Sequence, residues 1–317
     1  MVTRITQSDV ERFKRDDAAS YDDVTAAYDD FTQRCTLPIA RRLLDQAGLR
    51  PGNRVLDVGT GTGVVAWEAV ARVAPDGEVV GVDLSEGMLA AARAKAAHRS
   101  SGGGQTTVQP RFIKMDAEAL DFPNGHFHAV VSLYALAHFP HPDRALMTFF
   151  RVLERGGRLA IGVGTAAPFW SLRAWGKRLA RLPGMLRSRT GRQLNAPDLL
   201  HALLDELLPR ASEAEESAWA VAHANRTAVV HRMVREAGFV KVRTEWDART
   251  EIVNSAEEFW NLQVTFSSRA RKRLAGASPD AVEEIRGKFF ERCRRVQSRG
   301  GRLAYPYAAY LVWARKP

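Results

Sequence analysis

Only two cysteines, Cys35 and Cys293, occur in 317 residues. That is too few for a disulfide framework, and neither stands at metal-ligand spacing with a histidine or a second cysteine, so no metal is expected. The chain also lacks any run of about 18 apolar residues, which argues against a membrane-spanning helix. Its first 17 residues are charged and contain no apolar stretch of the signal-peptide kind, so the expectation is a cytoplasmic protein. No internal repeat is present, nor any aromatic-studded Lys/Arg-Gly-Phe strand of the RNA-binding type. Lys and Arg outnumber Asp and Glu by 46 to 36, a net charge of +10. The excess is spread along the chain instead of gathered in a tail, so it reads as arginine-rich composition and no nucleic acid is expected as a partner.

What is present is an alternating pattern. Hydrophobic residues make up 45% of the chain, enough for a sizeable core. Val55, Leu56 and Val58 form the short apolar run of a strand buried on both faces, and Gly59, Gly61 and Gly63 follow directly before a helix over 64–73. Glycines there let the backbone turn with positive φ and come close to a small molecule, while the helix offers its free N–H groups. The spacing departs from the dinucleotide fingerprint, because the sixth position counted from Gly59 is Val64. Asp57, at the end of the strand, would repel a pyrophosphate and would suit an ammonium group. A second strand over 78–83 ends in Asp83, 20 residues after Gly63, the separation at which a carboxylate meets a ribose. Further strands are predicted over 108–115, 127–133, 159–163, 240–252 and 305–314, with helices over 18–50, from Asp143 to Arg155, and over 279–298, the last facing solvent.

The stretch from Asp57 to Gly63 resembles the first motif of the class I S-adenosylmethionine-dependent methyltransferases, Asp/Glu-x-Gly-x-Gly-x-Gly. Leu136, His138, Phe139, Pro140 and Pro142, followed by an amphipathic helix and Gly156-Gly157, resemble the branch that contains the ubiquinone and menaquinone biosynthesis C-methyltransferases and their small-molecule relatives. The resemblance implies an α/β fold: a Rossmann-like, seven-stranded, mostly parallel sheet with helices on both faces and the last strand inserted antiparallel. It implies S-adenosylmethionine as cofactor and S-adenosylhomocysteine as product. Cofactor contacts are then expected at Asp57, Gly59, Thr60, Gly61, Gly63, Asp83, Leu84, Met88, Asp116, Ala117 and Tyr134. Asp83 would take the ribose, Met88 the face of the adenine, and Asp116 with the Ala117 N–H its edge. Tyr21-Asp22 and Tyr28-Asp29 match a paired Tyr-Asp stretch that lies over the cofactor, with Tyr28 the stronger candidate for a catalytic role. His138, just past the fourth strand, is the candidate general base, against the alternative of a loop anchor.

These readings divide the chain into an N-terminal helical cap (1–50), a cofactor-binding core (51–165 and 225–317) and a helical insertion (166–224). In the insertion Trp170, Trp175 and Met185 could line a substrate lid; its basic, tryptophan-bearing sequence leaves open a contact with a membrane surface. The acceptor is expected to be an apolar or aromatic small molecule, methylated on oxygen, carbon or nitrogen. Methylation of RNA or protein, and a cofactor-binding module without transfer chemistry, stand as alternatives. Against the former, no Asn/Asp-Pro-Pro-Tyr follows the fourth strand. Oligomeric state is not legible.

Overall fold

The computed structural model describes residues 6–100, 108–164, 193–209 and 226–317. Trp170, Trp175 and Met185, and with them most of the expected insertion, lie outside the described residues. The chain divides into two compact units, one of Met1–Gly164, Glu213–Asp247 and Ala309–Pro317, the other of Thr165–Ser212 and Ala248–Ala308. The second unit thus takes Ala248–Ala308 as well, which the sequence reading assigns to the core.

The first unit is built on strands β1 (Arg54–Val58), β2 (Glu78–Asp83), β3 (Arg111–Lys114), β4 (Phe127–Leu133) and β5 (Leu153–Gly164). Their order is β3-β2-β1-β4-β5, all parallel. The last strand, β8 (Arg302–Arg315), joins β5 antiparallel, Leu159 opposite Ala314 and Gly162 opposite Leu311. β7 (Val240–Val253) also pairs with β8. These seven strands have the expected mostly parallel arrangement with an antiparallel insertion. Val55 and Leu56 point to opposite faces of β1 and both are fully buried, so the sheet is covered on both sides. One side is packed by α6 (Pro142–Val152) through Leu146 and Phe149, and by the helix Arg226–Glu236 through Val230 and Val234.

Several boundaries differ from those read in the sequence. α6 stops at Val152, not Arg155, because Leu153 turns extended and pairs with Phe127; the pairing then shifts register around Gly156, whose φ is +77°. The N-terminal helices begin earlier: α1 covers Gln7–Asp22, capped by Thr6, which accepts from the Asp9 N–H while the Asp9 carboxylate accepts from the Thr6 N–H. α2 (Thr25–Phe31), a π-helical turn (Thr32–Thr36) and α3 (Leu37–Ala47) follow. α4 (Val64–Val73) and α5 (Glu86–Ser100) flank β2 in sequence.

In the second unit, Ser255, Ser267 and Ser278 each accept a backbone N–H three residues on and start the helices Ala256–Phe266, Ser268–Ala275 and Pro279–Gln297. The short strand β6 (Gln193–Asn195) pairs with Arg302–Ala304. The helix Pro279–Gln297 does not simply face solvent: Ile285, Phe289 and Cys293, four residues apart, are fully buried, and Phe289 meets Phe259 at a tilt and Trp260 edge-on. Burial pushes the Cys293 thiol up to about 12, so it stays protonated and inert. Among the described residues no helix is long and apolar enough to cross a membrane.

Candidate functional site

A cleft open to solvent lies at the carboxyl ends of β1, β2, β3 and β4. This is where the strand order reverses: β1 leads to β2 and β3 on one side and neighbours β4 on the other, which leaves a crevice between the diverging loops. Ten of the residues singled out in the sequence line it, namely Tyr28, Gly59, Gly61, Asp83, Leu84, Met88, Asp116, Ala117, Tyr134 and His138. Asp57, Thr60 and Gly63 do not.

The glycine loop is shaped by backbone conformation. Gly59, Gly61 and Gly63 have φ of +69°, +54° and +81°. A Cβ on Gly59 would stand 2.1 Å from Ala135 Cβ, whereas one on Gly61 would meet only Tyr28, at 3.7 Å. The N–H groups of Gly59 and Thr60 both donate to the Val82 carbonyl, which ties the loop to β2. Asp57 works from beneath. It is 1% exposed, and its Oδ2 accepts from the Thr60 hydroxyl (2.6 Å) and the Ala66 N–H (3.1 Å) in the first turn of α4. The ammonium-facing position expected for this carboxylate is therefore not where the structure puts it; strand pleating turns it under the loop. Burial pushes its pKa up to about 7, against the lowering by Thr60 and Ala66, and Asp83 nearby adds to the rise.

Asp83 sits at the open end of β2. Its Oδ2 accepts from the Gly61 N–H (2.8 Å) and its Oδ1 from the Ser85 N–H (3.0 Å), so the loop holds the carboxylate in place with lone pairs to spare. Burial raises its pKa, while the Ser85, Gly61 and Leu84 N–H groups oppose that. Tyr134, just past β4, has φ of +64°, a left-handed conformation uncommon for a bulky residue, fixed by its N–H to the Gly162 carbonyl at 2.6 Å.

The other wall comes from α1 and α2. Lys14, 9% exposed, donates from Nζ to Asp116 Oδ2 and Glu118 Oε2, both at 2.8 Å. Burial draws its pKa down, but the two carboxylates more than reverse this and leave it raised. Glu118 also accepts the His141 N–H through Oε1 at 2.8 Å, and so holds the residue that caps α6. Asp116 thus faces the cleft already bonded to Lys14 and the Glu118 N–H. Asp22 accepts from the Ser85 hydroxyl (2.7 Å) and the Gly87 N–H (3.1 Å); Asp29 accepts from the Thr62 hydroxyl (2.7 Å) and from Lys95. His138 stands between, with Nδ1 2.9 Å from Asp17 Oδ2 and Nε2 3.3 Å from the Tyr21 hydroxyl.

Lys14, Asp17 and Glu118 belong to the site but were not among the residues singled out for it, whereas Tyr21, named in the paired Tyr-Asp pattern, does line the cleft. Asp22 and Asp29 carried a signal in the paired Tyr-Asp pattern; Lys14 and Asp17 carried none, since their partners lie over 100 residues away. Among the described residues no group of three His, Cys, Asp or Glu side chains could hold a metal ion.

Residues 55–157 match the family described as methyltransferase domain. The chain is 39% identical over 121 residues to the ubiquinone/menaquinone biosynthesis C-methyltransferase of Ectopseudomonas mendocina, covering 38% of this chain and 45% of that protein. It is also 39% identical over 155 residues to nocamycin O-methyltransferase of Saccharothrix syringae, covering 49% and 52%. The chain spans about half the length of these curated relatives. A crystal structure of a candidate methyltransferase from Bacillus halodurans aligns with a TM-score of 0.51 at 23% identity, over 88% of this chain and 98% of that one, a likeness of fold. Over residues 55–157, about a third of its length, the chain is thus similar to a methyltransferase domain.

Proposed function

We propose that the protein transfers a methyl group from S-adenosylmethionine to an apolar or aromatic small molecule. The observation that carries this reading is the cleft itself, in which the glycine loop and the Asp83 carboxylate stand together at the point where the strand order reverses. The lining suits that cofactor by its chemistry. Asp83 offers acceptors to a ribose diol, and Met88 and Ala117 offer apolar contact to a base. Gly61 leaves room for close approach of the backbone, and Tyr28 covers it. Asp116 would take the adenine edge while still held by Lys14.

When bound, S-adenosylmethionine supplies a methyl group on a positively charged sulfur that is already a good leaving group. The chain's task is then to align the acceptor, exclude water and remove a proton where the acceptor carries one. The position of His138 on the cleft wall with Tyr134 and Phe139 supports giving it the last role. The acceptor class is supported by the names of the two relatives, one a C- and one an O-methyltransferase.

Titration calorimetry of the full chain with S-adenosylmethionine and with NAD tests the cofactor: binding of NAD and not of S-adenosylmethionine overturns the reading. Turnover of methyl-labelled cofactor with phenols, quinols and amines tests the transfer. Label appearing only in RNA or protein would select that alternative; binding with no transfer to any acceptor would leave a cofactor-binding module.

A further inference from the structure

His138 is gripped at both ring nitrogens by one face of α1. Asp17 and Tyr21 are four residues apart, so they project from the same side of the helix, the first 2.9 Å from Nδ1 and the second 3.3 Å from Nε2. The Asp17 side chain is 7% exposed, far from the solvation that a surface aspartate would have. A loop anchor needs one hydrogen bond, not a buried carboxylate on one side and a phenol that lines the cleft on the other.

We propose that Asp17, His138 and Tyr21 form a proton relay in which Tyr21 meets the acceptor, His138 receives the proton and Asp17 is the positioning residue. This rests on the methyl-transfer reading for its purpose, though not for its geometry. An ionised carboxylate only accepts, so Nδ1 carries the hydrogen and, in the neutral ring, Nε2 is left as the acceptor for the Tyr21 O–H. Tyr21 lines the cleft, where a hydroxyl oxygen that donates to Nε2 can also accept. When an acceptor hydroxyl binds there, its proton passes to the Tyr21 oxygen while the Tyr21 proton passes to Nε2. The electron pair of the broken O–H bond stays on the acceptor oxygen, and the resulting imidazolium is balanced by Asp17 until it gives its proton to water. The Tyr21 ring is held edge-on to both His138 and Tyr28, with centroids 5.6 and 5.7 Å apart, which fixes where its hydroxyl points.

The first measurement needs no acceptor. In the full chain with labelled imidazole nitrogens, long-range proton–nitrogen correlation reads the tautomer of neutral His138, its signals assigned by their loss in His138→Gln. The expected form is Nδ1–H, kept in Asp17→Glu and largely lost in Asp17→Asn. Tyr21→Phe should move the Nε2 signal toward that of an unbonded ring nitrogen. A parent found in the Nε2–H form, or an Nε2 signal indifferent to Tyr21→Phe, overturns the relay whether or not the protein methylates anything. The second measurement uses two probes, an alkylphenol that is protonated at the assay pH and a nitrophenol that is ionised. Tyr21→Phe should lower kcat at least tenfold on the alkylphenol and less than twofold on the nitrophenol, with KM little changed. Equal losses on both remove Tyr21 from the proton path. Methylation of neither phenol by the parent would count against the phenol part of the proposed function, and the tautomer result would still decide the relay.

Discussion

The cleft has two walls made in opposite ways. The wall at β1 and β2 is built by backbone: three left-handed glycines, two N–H groups on one carbonyl, and a carboxylate held by the loop that it borders. The wall contributed by α1 and α2 is built by side chains, with Lys14, Asp17, Asp22 and Asp29 each reaching a partner distant in sequence. A backbone wall tolerates almost no substitution at its glycines but is indifferent to ionic conditions. A wall of ion pairs tolerates conservative change and responds to loss of a single charge. The comparison teaches where rigidity and where adjustability lie: the glycine-loop wall is fixed by chain geometry, the helical wall by contacts that can be made and broken.

The sharpest way to break the comparison is at Gly59. An alanine there combines positive φ with a Cβ 2.1 Å from that of Ala135, and should cost about 3 kcal/mol of stability. Gly61→Ala, with only φ to satisfy and Tyr28 at 3.7 Å, should cost about 1 kcal/mol. Denaturant unfolding of both variants checks this, and equal costs would mean that the loop is not held as described. Next in size is Asp83→Ala. It removes a charged acceptor from two backbone N–H groups and from the proposed ribose, and should weaken S-adenosylmethionine by about 2–3 kcal/mol in calorimetry. An unchanged affinity in a folded variant would remove Asp83 from the cofactor site.

On the opposite wall, Lys14→Met should lower stability by about 2 kcal/mol, because it strands Glu118, 6% exposed, with one partner fewer. Its effect on cofactor affinity should be smaller than that of Asp83→Ala, since Asp116 keeps its backbone bond from Glu118. A variant as stable as the parent would show that α1 is held by packing alone, and the contrast between the walls would then be one of shape only.

The same contrast explains what the sequence could and could not tell. Gly59, Gly61 and Asp83 were legible because a glycine loop between an apolar strand and a helix is a local pattern, and the strand ends fall where apolar runs stop. β2 and β4 agree residue for residue with the runs Glu78–Asp83 and Phe127–Leu133. Lys14 and Asp17 were illegible because a lysine or aspartate on a charged helix is ordinarily solvated, and only the tertiary fold brings Glu118 and His138 against them. Asp57 was legible as a position but not as a direction: the motif shows a carboxylate at a strand end, and pleating decides on which side of the loop it falls. α6 was read too long for a similar reason, since pairing of Leu153 with Phe127 is non-local and overrides helix propensity.

The last expected effect is the pH dependence set by Asp57, and it tests whether that carboxylate supports the loop from inside or serves a ligand. Its pKa in the fold, about 7, lies above the ordinary 3.8, so the folded state holds a proton that the unfolded chain has lost. Stability from this group is complete below about 4 and declines as pH rises toward about 7, because unfolding then releases a proton. Asparagine has the same shape, can still accept from the Ala66 N–H and does not titrate. Relative to the parent, Asp57→Asn should therefore gain stability as pH is raised through this window, by at most about 1.4 kcal/mol per pH unit, and the gap should level off above about 7. Denaturant unfolding of both proteins at pH 5, 6, 7 and 8 measures the gap directly, with the other titrating groups common to both and cancelling. A gap that stays constant would mean that Asp57 is ionised and compensated in the fold, as a carboxylate reaching the cleft would be, and the assignment of Asp57 to the scaffold would fail.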